Sequence, residues 1–328
     1  MKNKKILIIG GTGALGKTLT KRYYKDNDII ILSRDEHKHV NMAREFKKIK
    51  YQIGDIKDKD SILQTLNEYS PDVVINTAAL KHVPICELNP YESVKTNIIG
   101  HKNLIDSISL CNHKIETLMF ISTDKACSPI NVYGMCKAIS ERLYVDFANK
   151  QKDIKVVLCR YGNVLESTGS VIPLFKNILN EGNLYLPITH MEMTRFLLSL
   201  DDAVNLIQWA YDHNNSHGKI VIPNIKALKV TDIANALIKD HNSFYDNGIK
   251  CYKKQKKYNL KTVGIRPGEK LHEAMISLEE SIRTEVYDKY FMITDKILHN
   301  NPWEFESSNN LMDHSETEQF LYEKGVLK

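Results

Sequence analysis

The first half of the chain alternates between short, unbroken apolar runs and longer amphipathic stretches. The apolar runs fall at Lys4–Gly10, Asp28–Leu32, Tyr51–Ile53, Asp72–Asn76, Thr117–Ile121 and Ile154–Cys159. Short runs without polar alternation suit strands buried on both faces, as in a parallel sheet. Between them, stretches such as Lys59–Glu68 and Tyr91–Leu110 carry apolar residues at helical spacing. This regular alternation predicts an α/β fold, a doubly wound parallel sheet of the Rossmann type. After about residue 165 the alternation loosens, with helices expected near Asp201–His213 and Thr231–Asp240. The division expected is a sheet domain over 1–165, with later residues adding to its sheet, and a smaller C-terminal lobe over 166–328. No Pro/Gly/Ser-rich linker separates them, so the lobe is expected over the sheet's carboxyl edge, where such folds bind ligands.

Composition narrows the classes. A chain of 328 residues can bury a large core. Its 26% charged and 42% hydrophobic residues are ordinary for a globular protein. The net charge of +5 is modest and spread through stretches such as Lys253–Lys257, which favours a solvated surface over nucleic-acid binding. The six cysteines (Cys86, Cys111, Cys127, Cys136, Cys159 and Cys251) form no CxxC pair and read as reduced thiols of a cytoplasmic protein. The histidines form no HExxH, and no metal site is expected. No apolar run approaches the ~20 residues of a membrane span.

The first strand runs into Gly10-Gly11-Thr12-Gly13-Ala14-Leu15-Gly16, with Gly10, Gly13 and Gly16 in GxxGxxG spacing. Glycines so placed permit a tight turn, close approach to a pyrophosphate and close helix–strand packing, with the phosphates on a helix N-terminus. This predicts a dinucleotide site. The second strand ends in Ser33-Arg34-Asp35-Glu36. An acidic residue there would bind the ribose 2′-hydroxyl of NAD, whereas an arginine would hold the 2′-phosphate of NADP. Arg34 comes first and favours NADP. A plain charged turn also fits, because His37-Lys38-His39 continue the polar run.

Residues 122–137 concentrate the chemistry. Tyr133 and Lys137 stand four apart and share one helical face. A phenol beside an ammonium is a route to a base, since a nearby positive charge favours the phenolate. Nine residues before Tyr133, Asp124 and Lys125 follow the end of an apolar strand and offer an acid and a second base. A hydride-transfer centre with a separate proton-transfer pair suggests oxidation coupled to elimination. Asp124 as an N-cap beside a surface Lys125 is the bland alternative.

Together these features resemble the extended short-chain dehydrogenase/reductase superfamily. Within it the chain is most similar to inverting UDP-N-acetylglucosamine 4,6-dehydratases (5-epimerizing) of pseudaminic-acid biosynthesis. The resemblance rests on Ser33–Glu36, Gly54-Asp55-Ile56, Ala79–Pro84, Lys95–Ile98, Ser122–Cys127, Arg160–Val164, Met193–Phe196 and Ile265–Glu273. The last 40 or so residues match only loosely. Relatives that retain configuration at C-5 usually carry Asp-Glu where this chain has Asp124-Lys125, and related capsule enzymes of the inverting type often carry Met in place of Tyr133.

The resemblance implies NADP held by Gly10, Thr12, Gly13, Ala14, Leu15, Gly16, Ser33, Arg34, Asp35, Asp55, Ile56, Ala78, Ala79, Asn97, Tyr133 and Lys137. It implies UDP-N-acetylglucosamine held by Lys81, Thr123, Asn163, Arg195, Arg266 and Glu269. Tyr133 would take the C-4 hydroxyl proton, Lys125 the C-5 proton, and Asp124 would protonate the leaving C-6 hydroxyl. Lys137 would hold the nicotinamide ribose and lower the pKa of Tyr133. A homo-oligomer, a hexamer, is also implied. One departure stands out: the family usually reads Ser-Arg-Gly-Ser where this chain has Ser167-Thr168-Gly169-Ser170. The lost arginine bears on a cofactor or diphosphate contact. A retaining 4,6-dehydratase or a 4-epimerase on the same scaffold is the nearest alternative. A non-catalytic NADP-binding sensor is the other, and it would not need Asp124, Lys125, Tyr133 and Lys137 together.

Overall fold

The computed structural model describes residues 1–165, 169–246, 249–252 and 258–328. The Thr168 departure and the Lys253–Lys257 stretch lie outside the described residues. The chain divides into two compact units. The first comprises 1–161, 200–224 and 275–304; the second comprises 162–199, 225–274 and 305–328.

The first unit is built on a nine-stranded sheet. Its first six strands in chain order are β1 (Lys5–Ile9), β2 (Asp28–Ser33), β3 (Lys50–Ile53), β4 (Val73–Asn76), β5 (Thr117–Ile121) and β6 (Lys155–Cys159). They lie in the order β3-β2-β1-β4-β5-β6, all parallel. Each expected strand appears within a residue or so. The sheet continues past β6 with Ile220–Pro223, parallel, then Tyr290–Ile293 and Thr284–Val286, both antiparallel to their neighbours. Ile6, Leu7, Ile8, Val73, Val74, Ile75, Leu118, Met119 and Phe120 are completely buried, as strands covered on both faces require. Strand order reverses between β1 and β4, the point at which a doubly wound sheet opens a ligand crevice at its carboxyl ends.

The stretch expected as one helix over Tyr91–Leu110 is interrupted. It consists of an α-helical turn, Pro90–Val94, a π-helical turn, Lys95–Ile99, and an α-helix, Gly100–Leu110. Apolar spacing does not reveal an extra residue in one turn, and π-turns of this kind occur often at functional sites.

The second unit has its own core. Ile172, Phe175, Leu186, Ile233, Leu237 and Leu321 pack together, drawn from helices Val171–Asn180, Val230–His241 and His314–Glu323 and from strand Tyr185–Ile188. A three-stranded sheet places Thr194–Leu198 between Ala227–Lys229 and Asn163–Val164. Among the described residues, no helix is long and apolar enough to cross a membrane.

Candidate active site

At the carboxyl end of β1 the chain turns at Gly10, with φ +76°. A Cβ there would lie 2.8 Å from the Ala78 backbone, so the loops after β1 and β4 meet at a distance only glycine allows. Helix α1 (Ala14–Tyr23) follows, with Gly13 as its N-cap and no side chain capping its first N–H groups. Gly16 lies against Gly11, whose backbone a Cβ would meet at 2.4 Å. The cradle Gly10–Gly16, with Thr12, Ala14 and Leu15, therefore has the shape and the uncapped helix terminus that a pyrophosphate needs.

At the end of β2, Thr12 and Ser33 hydroxyls are 2.9 Å apart, and Ser33 Oγ is 2.7 Å from His39 Nε2. Asp35 caps the helix Glu36–Glu45 and accepts from the Lys38 backbone N–H at 3.0 Å. That bond lowers its pKa, joined by the Lys38 ammonium. Asp35 is thus committed to the cap, while Arg34 is half exposed, with Asp55 3.6 Å away. Ile56 is buried against Gly100, where a Cβ would meet its Cγ2 at 2.8 Å.

Beyond β4, the loop Ala78–Lys81 is held by Asn97 in the π-turn. Asn97 Oδ1 accepts from Leu80 N and its Nδ2 donates to Leu80 O, both at 2.9 Å. Its amide therefore fixes the loop carrying Ala78, Ala79 and the exposed Lys81, a positioning task rather than a ligand contact.

The four chemistry-bearing residues come together around the end of β5. Asp124 is fully buried, and its Oδ1 accepts from the Thr123 hydroxyl at 2.9 Å and from the Lys125 ammonium at 3.0 Å. Its backbone N–H is tied to the Tyr161 carbonyl at 2.9 Å. Asp124 is not an N-cap; Thr123 caps the short 3-10 turn Asp124–Ala126. Tyr133 and Lys137 lie on the buried face of helix Val132–Lys150, which Asn131 caps through the Gly134 N–H. Gly134 is obligatory, since a Cβ would sit 2.2 Å from the Lys125 carbonyl oxygen. Burial pushes the Tyr133 phenol up to about 12, opposed by the Lys125 charge and by a hydrogen bond with Thr123. The cation with the largest opposing effect on Tyr133 is therefore Lys125, where Lys137 was expected. Lys137 donates to the Ile121 carbonyl at 2.7 Å and lies over the Phe120 ring. Burial draws its pKa down to about 7, against the pull of Glu141.

A buried ion network escaped sequence reasoning. Arg160, only 1% exposed, pairs with Glu141 at 2.6 Å and with Glu280 at 2.8 Å. Burial alone would raise the Glu280 carboxyl, but Arg160 holds it at about 2. Glu141 also accepts from the Ser122 hydroxyl at 2.6 Å. The visible signal was Arg160 itself, a cation closing an apolar strand, which needs a buried counter-charge.

In the second unit, Arg195 donates to the carbonyls of Thr194 (2.7 Å), Leu271 (3.1 Å) and Lys270 (2.9 Å). It organises the segment bearing Glu269, whose carboxylate is 3.8 Å away. Arg266, with a side chain 66% exposed, contacts Glu269 at 3.2 Å in a turn completed by Gly268 at φ +77°. Asn163 pairs with Leu197 in the small sheet, and its Oδ1 is buried without a hydrogen-bond partner.

Residues 6–295 match the family described as polysaccharide biosynthesis protein. The chain is 42% identical over 305 residues to a protein of Campylobacter jejuni subsp. jejuni serotype O:2 named UDP-N-acetylglucosamine 4,6-dehydratase (inverting), covering 90% of this chain and 85% of that one. It is 36% identical over 301 residues to a UDP-glucose 4-epimerase of Rickettsia rickettsii, covering 89% and 83%. The X-ray structure of Pen from Bacillus thuringiensis superposes with a TM-score of 0.86 at 28% identity, covering 99% of both chains.

Proposed function

The chain belongs to the polysaccharide biosynthesis protein family, and we propose that it is an NADP-dependent UDP-N-acetylglucosamine 4,6-dehydratase that inverts C-5. The observation that carries this reading is the cluster of buried Tyr133, Thr123 and Asp124 with half-buried Lys125 at one strand end. A 4-epimerase needs a base at C-4 but has no use for a second acid–base pair. The Rickettsia relative makes epimerisation the second reading.

Gly10–Gly16 would cradle the cofactor's pyrophosphate. Ser33 and Arg34 would take a 2′-phosphate, since Asp35 is held as a cap. An ammonium has three donors; with one on Ile121, Lys137 can still hold ribose hydroxyls. Bound there, the cofactor would supply the hydride acceptor for oxidation at C-4 and the hydride donor for reduction at C-6.

The chain's own groups do the proton work. Tyr133 removes the C-4 hydroxyl proton, Lys125 the C-5 proton made acidic by the 4-ketone, and Asp124 protonates the departing C-6 hydroxyl. Asp124 and Lys125 are ion-paired, one proton transfer away from the neutral acid and amine this requires. Desolvation by a bound sugar favours the neutral pair, because burying charge is costly. Lys81, Thr123, Asn163, Arg266 and Glu269 are proposed to hold the UDP-sugar, with Arg195 shaping the Arg266 segment. The proposal includes a cytoplasmic homo-oligomer, a hexamer, and a place in pseudaminic-acid synthesis. Exposed Ile85, Leu88, Tyr91, Met135 and Ile139 give a second copy apolar surface to cover.

The test is incubation of the purified protein with UDP-N-acetylglucosamine, without added cofactor, followed by NMR. The expected product is a 4-keto-6-deoxy sugar. A 4-epimer with its C-6 hydroxyl intact would establish the second reading, and unchanged substrate would contradict both.

A further inference from the structure

Lys137 and Glu141 lie one turn apart on helix Val132–Lys150 and are 3% and 4% exposed. They hold consecutive residues at the end of β5. Lys137 donates to the Ile121 carbonyl, and Glu141 accepts from the Ser122 hydroxyl. The next three residues are Thr123, Asp124 and Lys125. Behind them, the Arg160 guanidinium takes both oxygens of Glu141, at 2.9 and 2.6 Å, and both of Glu280, each at 2.8 Å. Arg160 is shared between Glu141 and Glu280, and Glu280 also feels the half-buried Arg283. Lys137, one turn before Glu141, adds a second buried cation on the Glu141 side. We propose that Glu141 is a positioning residue that, fixed by Arg160 and Ser122, supplies the counter-charge keeping Lys137 a cation in the active site.

The groups around Lys137 support this assignment. From its own helix come Tyr133, Cys136 and Glu141; from β5 comes the Phe120 ring, 4.4 Å from the ammonium. From helix Gly100–Leu110 comes His101, whose pKa burial and the Lys137 charge lower well below its usual value. Burial raises the Cys136 thiol. Glu141 is the carboxylate in this set. Burial works against the Lys137 ammonium and Glu141 supports it. Removing the Glu141 charge therefore lowers the pH at which Lys137 loses its proton.

The catalytic consequence rests on the dehydratase reading, but the titration does not. In ¹³Cε-lysine-labelled holoenzyme, with Lys137→Met assigning the resonance, Glu141→Gln is expected to lower the Lys137 titration midpoint by at least about one unit. The alkaline limb of kcat/KM should move to lower pH by the same amount. An unchanged Lys137 midpoint in folded Glu141→Gln overturns the proposal. If the wild-type enzyme makes no ketone, the functional reading fails and the titration still decides this one. Should Glu141→Gln not fold, the double variant Glu141→Gln/Lys137→Met decides. Removing one charge of each sign should restore folding, and a double variant as unfolded as the single overturns the proposal.

Discussion

Arg160 and Arg266 show two ways of using a guanidinium. Arg160 is enclosed, and its N–H groups meet two carboxylates and the Met275 carbonyl. Arg266 projects from a turn and touches a single carboxylate, Glu269. The same contrast separates the proposed catalytic segment, Ser122–Lys137, from the arginine-bearing loop 265–273. In the first, the side chains proposed to react are hydrogen-bonded and buried, or half-buried for Lys125, which would leave little reorganisation for the chemical step. In the second, the Arg266 side chain stays mostly exposed and open to a ligand. On the proposed function, the chemistry is built into the fold, whereas binding would be completed by the ligand.

Substitutions in the two segments should therefore differ in kind. Tyr133→Phe should give the largest loss, about 10⁴-fold in turnover, the upper end for a general base. Calorimetric NADP⁺ binding should stay close to wild type. Lys125→Met keeps much of the side-chain volume but removes the base, and turnover should fall at least about 10²-fold. Near-normal turnover with inversion would show that Lys125 is not the base. In the loop, Arg266→Ala should raise KM for the UDP-sugar on the order of tenfold with kcat little changed, the scale of a charged hydrogen bond. Arg195→Ala should instead lower thermal stability, because three carbonyls lose their donor; a pure KM effect would place it in the binding set. The smallest expected effect is Arg34→Ala, which should weaken NADP⁺ more than NAD⁺ by several-fold to about tenfold. Equal weakening of both would remove the case for a 2′-phosphate site.

The sheet was legible because its strands are unbroken apolar runs, and β2 and β5 begin at the residues where those runs begin. The glycine cradle was legible because spacing alone encodes the turn. Tyr133 and Lys137 were legible because a four-residue interval is itself a helical face. Partnership across long sequence separation was not legible. Glu280 lies 120 residues from Arg160, in a segment Leu278-Glu279-Glu280-Ser281 that reads like any exposed helical turn. Nor could composition show that the Asn97 amide binds Leu80, or that Asp35 caps a helix: short polar side chains serve ligand and backbone equally well. Which late residues add to the sheet was not legible, since Thr284–Val286 and Tyr290–Ile293 are short antiparallel strands far from the regular alternation.

We propose that Lys125, paired with Asp124, removes the C-5 proton and that C-5 is reprotonated on the opposite face. Turnover of UDP-N-acetylglucosamine in deuterated water, with the product read by NMR, tests it directly. The expected product is the L-arabino 4-keto-6-deoxy sugar with deuterium at C-5. A product with C-5 configuration retained, or an inverted product without deuterium at C-5, would contradict it.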